Sequence, residues 1–361
     1  MHNRSPRPTS PVRRALNRTL LALCLTSPWV AAPAAAQNQT LNLYSARHYP
    51  GDEALYDAFT RATGITIRRV DSDDAGIVAR LRAEGAASPA DVVLLVDAAR
   101  MAAADAQGLF LPIRSAKLEA AVPAHLRAAA TPQGTTWFGF STRARVIVYD
   151  PLRVKAEDVA TYEQLSHPKL KGLLCTRSGS HPYNLSLFAT VIERLGDEKG
   201  QAWLNGLVAN MARPPQGGDT DQIRAVASGE CGVALTNSYY LARLINSDKP
   251  EDRRVVERVR VMFPNQASTG THVNIAGAAV ARHSKNVDAA VRFLEFLATP
   301  EAQQYFANSN NEYPAVPGVK LDNPALRSMG GTDFKAETIP LSTVAKNLTK
   351  VQQMLDRAGF R

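Results

Sequence analysis

The chain has 361 residues, 45% of them hydrophobic, with 42 Lys and Arg against 33 Asp and Glu and a formal charge of +9. That length exceeds what one compact core usually holds, so two lobes are expected. The basic residues are scattered rather than gathered in runs, which argues against nucleic-acid binding, and after residue 36 no stretch approaches the roughly 18 consecutive apolar residues a membrane span needs.

Residues 1–36 read as a secretory leader. Arg4, Arg7, Arg13, Arg14 and Arg18 form a basic region, Leu20 to Val30 an apolar one, and Ala34-Ala35-Ala36 a small-residue cleavage site before Gln37. Arg13-Arg14-Ala15-Leu16 is twin-arginine-like, but Asn17 interrupts the usual apolar pair, so both the Sec and Tat routes stay open. Leu23 is too bulky for a lipoprotein cleavage site before Cys24. Removal of five arginines and no acids lowers the formal charge from +9 to +4, and a soluble exported product is expected.

From there, short β-rich runs alternate with amphipathic stretches. Leu41 to Tyr44, Ile65 to Val70 and Val92 to Val96 predict strands, separated by helical patterns that close on Gly64 and Gly85, a βαβαβ unit. Trp137 to Phe140 and Arg145 to Tyr149 are two further apolar runs. The pattern then restarts with a strand at Leu173 to Thr176 and helices near Asn184 to Leu195, Gln201 to Asn210 and Asp219 to Ser228. Strands follow at Gly232 to Leu235, Val259 to Phe263 and Asn274 to Val280. The helix pair Val287 to Leu297 and Pro300 to Ala307 reads as a return to the first lobe, and a last helical stretch spans Leu341 to Ala358. The expected fold is α/β and two-lobed, each lobe a mixed sheet flanked by helices, joined by hinge strands. Residues 37–139 and 272–315 would form lobe 1, and 140–271 and 316–361 lobe 2.

Four tyrosines stand where strands end: Tyr49 before Pro50-Gly51, Tyr183 after Pro182, and Tyr239-Tyr240 after the Gly232 strand. A single phenol is usually structural, packed with its polar tip at the surface. Ligands of open α/β folds, however, lie at the carboxyl ends of strands, where all of these fall. Phenolate is a hard anionic oxygen donor suited to Fe(III), and a bound cation can ionise a group whose free pKa is about 10. The doublet falls where a helix should begin, with Asn237 or Ser238 as N-cap, so the positive end of the dipole also favours phenolate. His48, beside Tyr49, is a further candidate donor if the chain has already left the strand. His181 is set aside because Pro182 imposes a tight turn between it and Tyr183.

Four phenolates about Fe(III) leave a charge of about −1, which Arg47 or Arg145 could offset; either could instead clamp a carbonate-like anion, or form an ordinary salt bridge. Ser178 and Ser180, in Ser178-Gly179-Ser180, resemble an anion-cradling turn, although such turns are commonly only turns. Cys175 and Cys231, both at predicted strand edges and even in number, are candidates for a disulfide or for two buried thiols. There is no H-E-x-x-H, C-x-x-C, G-x-S-x-G or Walker loop, so no enzyme is expected.

At these residues the chain resembles the periplasmic ferric-ion-binding proteins of bacterial ABC transporters, the FbpA/FutA type within the class II periplasmic binding protein fold. The likeness runs through Leu43-Tyr-Ser-Ala-Arg-His-Tyr49, Ser88-Pro-Ala-Asp91, Trp137-Phe-Gly-Phe140, Arg143-Ala-Arg-Val-Ile147, Arg177-Ser-Gly-Ser-His-Pro-Tyr183-Asn, Thr236-Asn-Ser-Tyr-Tyr240 and Gly270-Thr-His-Val-Asn274. The doublet is its most specific part. The resemblance implies His48, Tyr49, Tyr183, Tyr239 and Tyr240 as ligands of Fe(III), carried as cargo with or without a carbonate-like synergistic anion. It also implies a monomer that delivers iron to an inner-membrane permease with its ATPase. Two rival readings are a carrier of a phosphate-like or carboxylate anion on the same fold, using the serines and arginines, and a secreted hydrolase, which lacks a recognisable nucleophile and base.

Overall fold

The structure, a computed structural model, describes residues 39–47, 49, 51–331 and 333–360. The leader read over residues 1–36 and the candidate donor His48 lie outside the described residues.

Strands β1 (Thr40–Ser45), β2 (Thr66–Asp71) and β3 (Val92–Leu95) alternate with helices α1 (Asp52–Thr63) and α2 (Asp74–Glu84), and α3 (Ala98–Ala106) follows β3. Gly64 ends α1 at φ 73°, the left-handed cap that only glycine adopts without strain. After α4 (Ala116–Ala121) comes β4 (Phe138–Tyr149), one buried strand of 12 residues where the sequence predicts two separate runs. The polar stretch Ser141-Thr142-Arg143 hides that continuity from the pattern of apolar residues. It is tolerated inside because Glu312 accepts hydrogen bonds from Ser141 Oγ at 2.8 Å and Arg143 Nη1 at 3.4 Å.

The second α/β run comprises β5 (Leu174–Cys175), α5 (Pro182–Leu195), α6 (Asp197–Ala209), α7 (Asp219–Ser228), β6 (Val233–Asn237), α8 (Ser238–Ile245), α9 (Pro250–Arg258) and β7 (Arg260–Met262). The chain returns through β8 (Val273–Val280), α10 (Val287–Leu297), α11 (Pro300–Asn310) and β9 (Tyr313–Pro314). It closes with α12 (Pro324–Ser328), α13 (Leu341–Lys346) and α14 (Leu348–Ala358), so the last predicted helix is broken at Asn347.

The strands lie in the order β2-β1-β3-β8-β4-β6-β5, with β7 and β9 also pairing with β4. β1 is parallel to β2 and β3, while β8 runs antiparallel to both β3 and β4. β4 pairs with β8 from Phe138 to Ala144, then with β6 and β7 from Arg145 to Tyr149, so it leaves one lobe and enters the other within a single strand. Its path irregularity falls between Gly139 and Ser141, where a Cβ on Gly139 would stand 2.8 Å from the Leu126 carbonyl oxygen.

The apolar cores follow this division. One gathers β1, β3 and β8 with Phe59, Phe293 and Phe306. On the other side, alternate residues of β4 point to opposite faces: Ile147 and Tyr149 join Phe188, Trp203 and Leu355, whereas Val146 and Val148 join Ile223, Leu241 and the two cysteines. Full burial of a side chain such as Phe188, edge-on to Trp203, contributes roughly 1.5–3 kcal/mol.

Candidate metal centre

Three local devices carry the tyrosines. Tyr49 stands between β1 and α1, where Arg47 is held by Asp52 (Nε to Oδ2, 3.0 Å) and by Glu312 (Nη1 to Oε2, 2.7 Å), all three side chains buried. The Arg47 guanidinium lies 4.9 Å from the centre of the Tyr49 ring. Tyr183 is in the first turn of α5, where Pro182 fits a helix start and His181 Nδ1 accepts the Tyr183 N–H at 3.2 Å. Tyr239 and Tyr240 open α8, whose N-cap position is Asn237, with no side-chain capping bond.

The fold brings these rings together. The Tyr183 and Tyr239 hydroxyls are 3.3 Å apart, and the Tyr239 and Tyr240 rings stack at 4.2 Å. Arg243, one turn further along α8, places its guanidinium 4.9 Å from the Tyr239 ring centre, 5.6 Å from Tyr240 and 5.0 Å from Tyr49. Arg143 lies 5.7 Å and Arg177 5.2 Å from the Tyr183 ring. Buried Arg143 gives Nη1 to Glu312, and among the described residues its Nε and Nη2 have no hydrogen-bond partner.

Burial is the main reason these phenols resist ionisation. It raises Tyr49, with Glu312 adding to the effect and Arg47, Arg143 and Arg243 opposing it. Tyr183 and Tyr239 are raised well above the ordinary phenol value, again by burial first; Arg143 opposes, and neighbouring phenols add to the rise. The rise favours the protonated form of Tyr49, Tyr183 and Tyr239, and a cation binding to them must expel those protons. Burial, with Arg177, Arg145 and Arg100 nearby, pushes His181 down to about 3, leaving a neutral imidazole edge-on to the Tyr183 ring at 4.5 Å.

The remaining candidates are distributed as follows. Arg145 is engaged by Asp219 (2.6 Å), Asn237 (3.2 Å) and Asn184 (2.7 Å), a buried network that ties β4 to α5, α7 and the start of α8. Ser178 and Ser180 have their hydroxyls 2.9 Å from each other, Ser180 being exposed. Cys175 and Cys231 are joined in a disulfide with Cα atoms 5.9 Å apart. Arg143, Arg243 and Glu312 join the site without being among the candidates the sequence offers. Arg243 could have been found from its spacing of three and four residues after the doublet, and Arg143 from lying two residues before Arg145 on one strand face. Glu312 had no sequence signal, because only the pairing of β9 with β4 brings it near.

Among the described residues no three His, Cys, Asp or Glu side chains converge as a metal site. A cavity of about 440 Å³, lined by Leu126, Thr142, Val273, Tyr313 and Phe334 among others, is lined by none of the four tyrosines. It lies beside Thr142, whose neighbours Ser141 and Arg143 both reach Glu312 on the opposite face of β4.

Comparison with known proteins agrees with this architecture. Iron uptake protein A1 of Synechocystis is 44% identical over 345 residues, covering 95% of this chain and 93% of that protein. The major ferric iron-binding protein of Neisseria meningitidis serogroup B is 28% identical over 309 residues, covering 85% and 88%. Among solved structures, a Trichodesmium protein (IdiA, FutA) in complex with iron and citrate superimposes with a TM-score of 0.84 at 44% identity, covering 89% of this chain and all of that one. The sequence profile of the family described as bacterial extracellular solute-binding protein matches residues 54–328. The chain belongs to the bacterial extracellular solute-binding proteins, and its two-lobed α/β architecture is that of the periplasmic ferric-binding members.

Proposed function

We propose that this chain is a periplasmic carrier of Fe(III), not a catalyst, that closes two lobes over the ion and hands it to an ABC permease and its ATPase. The single observation that carries this reading is the convergence of Tyr49, Tyr183, Tyr239 and Tyr240 around Arg143 and Arg243. The relatives named for iron uptake and ferric iron support it. Residues 37–139 with 272–315 would move as one body and 140–271 with 316–361 as the other, after removal of a leader.

In the proposed site the four phenols ionise and bind as phenolates, with His48 as a fifth donor. Three positive charges against four negative ones leave about −1, which the two arginines offset in a low-dielectric setting. The unpartnered Nε and Nη2 of Arg143 could also hold an oxygen of a small anion sharing the metal. Each phenol must lose a proton to bind, so affinity falls as pH falls.

The test is optical. Ferric ion added to the metal-free protein should produce a visible phenolate-to-iron charge-transfer band, and Tyr239→Phe with Tyr240→Phe should weaken and shift that band and weaken binding at least about 100-fold, the loss of two charged donors. A band unaffected by the double substitution, or tight calorimetric binding of phosphate without iron, would overturn the assignment.

A further inference from the structure

Asp97 follows β3 and caps α3, its Oδ1 accepting the N–H groups of Ala99 at 2.8 Å and Arg100 at 3.2 Å. Its other oxygen accepts from Asn274 Nδ2 on β8 at 2.7 Å, while Asn274 Oδ1 in turn accepts the Ala98 N–H at 3.0 Å. Asp97 is thereby fixed to β8, whose Val273 pairs with Ala144 of β4 just before β4 turns to β6. The same Oδ2 also accepts a hydrogen bond from Ser186 Oγ at 3.1 Å.

Ser186 comes from the other side. It lies on α5, next to Leu187 and Phe188 of the second core, whereas Ala98 belongs to the first. Tyr183 is three residues earlier on the same helix, on the same face. Beyond this contact a cavity of about 270 Å³ lies between Ala99, Arg100 and Ala103 of α3, Pro182 and Leu185 of α5, and α14, and α13 packs against both α3 and α5. The direct join between α3 and α5 includes one buried hydroxyl and one buried carboxylate.

We propose that Ser186, through Asp97, is a positioning residue that sets the angle between the lobes and so the place of Tyr183 in the metal centre. The contact ties α5, which carries Tyr183, to β8 through Asn274, so a slip there is passed along the helix to the phenol. Neither side chain touches the metal. The inference rests on the carrier reading for its consequence, but the hinge itself can be followed without iron.

The test is Ser186→Ala in the full chain, a change that keeps the α3 cap and the Asn274 bond and favours helix. Ferric protein carrying it should lose iron to an aminocarboxylate chelator about tenfold faster, the scale of one hydrogen bond to a charged group. The visible band maximum and the metal-free melting temperature should not move. Small-angle scattering of the metal-free variant should show a larger radius of gyration than the parent. An unchanged extraction rate and radius, or faster loss accompanied by a lower metal-free melting temperature, would overturn the proposal. Absence of any visible band in the parent protein would instead count against the carrier reading, leaving the scattering result to decide the hinge.

Discussion

Tyr49 stands outside regular structure, fixed through a buried array of Arg47, Asp52 and Glu312, whereas Tyr183, Tyr239 and Tyr240 stand in the first turns of α5 and α8, fixed by helical backbone. The first arrangement depends on full pairing of charges taken out of water; the second depends on secondary structure whose footing includes the Cys175–Cys231 disulfide. One phenol is thus placed by long-range electrostatics and three by local geometry. The Tyr49 side should be the more fragile to single substitutions, and the other side the more sensitive to reduction.

The contrast can be broken in three ways. Arg47→Met should cost about 3–5 kcal/mol of metal-free stability, because buried Asp52 would lose its arginine and Glu312 would keep only the longer pair with Arg143. Urea unfolding measures this, and a loss near zero would mean the array is slack. Cys175→Ser with Cys231→Ser should cost about 2–4 kcal/mol. Its effect on the unfolding midpoint should disappear when parent and variant are compared under reducing conditions.

The smallest effect concerns alkaline pH. Tyr183 and Tyr239 are raised in the folded chain above the ordinary 10.0, so their contribution is fully present below pH 10 and is lost as pH climbs beyond it, when the unfolded chain ionises first. At about pH 10.5 each should cost at most about 1 kcal/mol in the metal-free protein. Loaded iron should oppose this loss, since it binds the ionised form.

Much of the fold was readable because apolar period and punctuation agree. Asp219–Ser228 and Val287–Leu297 have the predicted bounds, and Gly64 is the expected left-handed cap. Other boundaries were blurred by local chemistry: α5 begins two residues early because Pro182 suits a first turn and His181 caps it, and α6 begins at Asp197 rather than Gln201. β4 was split because Ser141, Thr142 and Arg143 are internal, satisfied by residues that are remote in sequence. The phenols were legible as residue types at strand ends. Their electrostatic setting was not, since Glu312 and Arg143 meet only through pairing between β4 and β9.

The placement of β8 has a consequence for biosynthesis. β3 takes β8 as its neighbour opposite β1, and contacts such as that of Ala98 with Asn274 span 176 residues. During synthesis, the early strands must wait with an unpaired edge until most of the polypeptide has followed. Such an edge invites pairing with other chains, and its late closure slows folding. A newly made molecule should therefore depend on protection from aggregation until β8 arrives, long before any ion is offered to it.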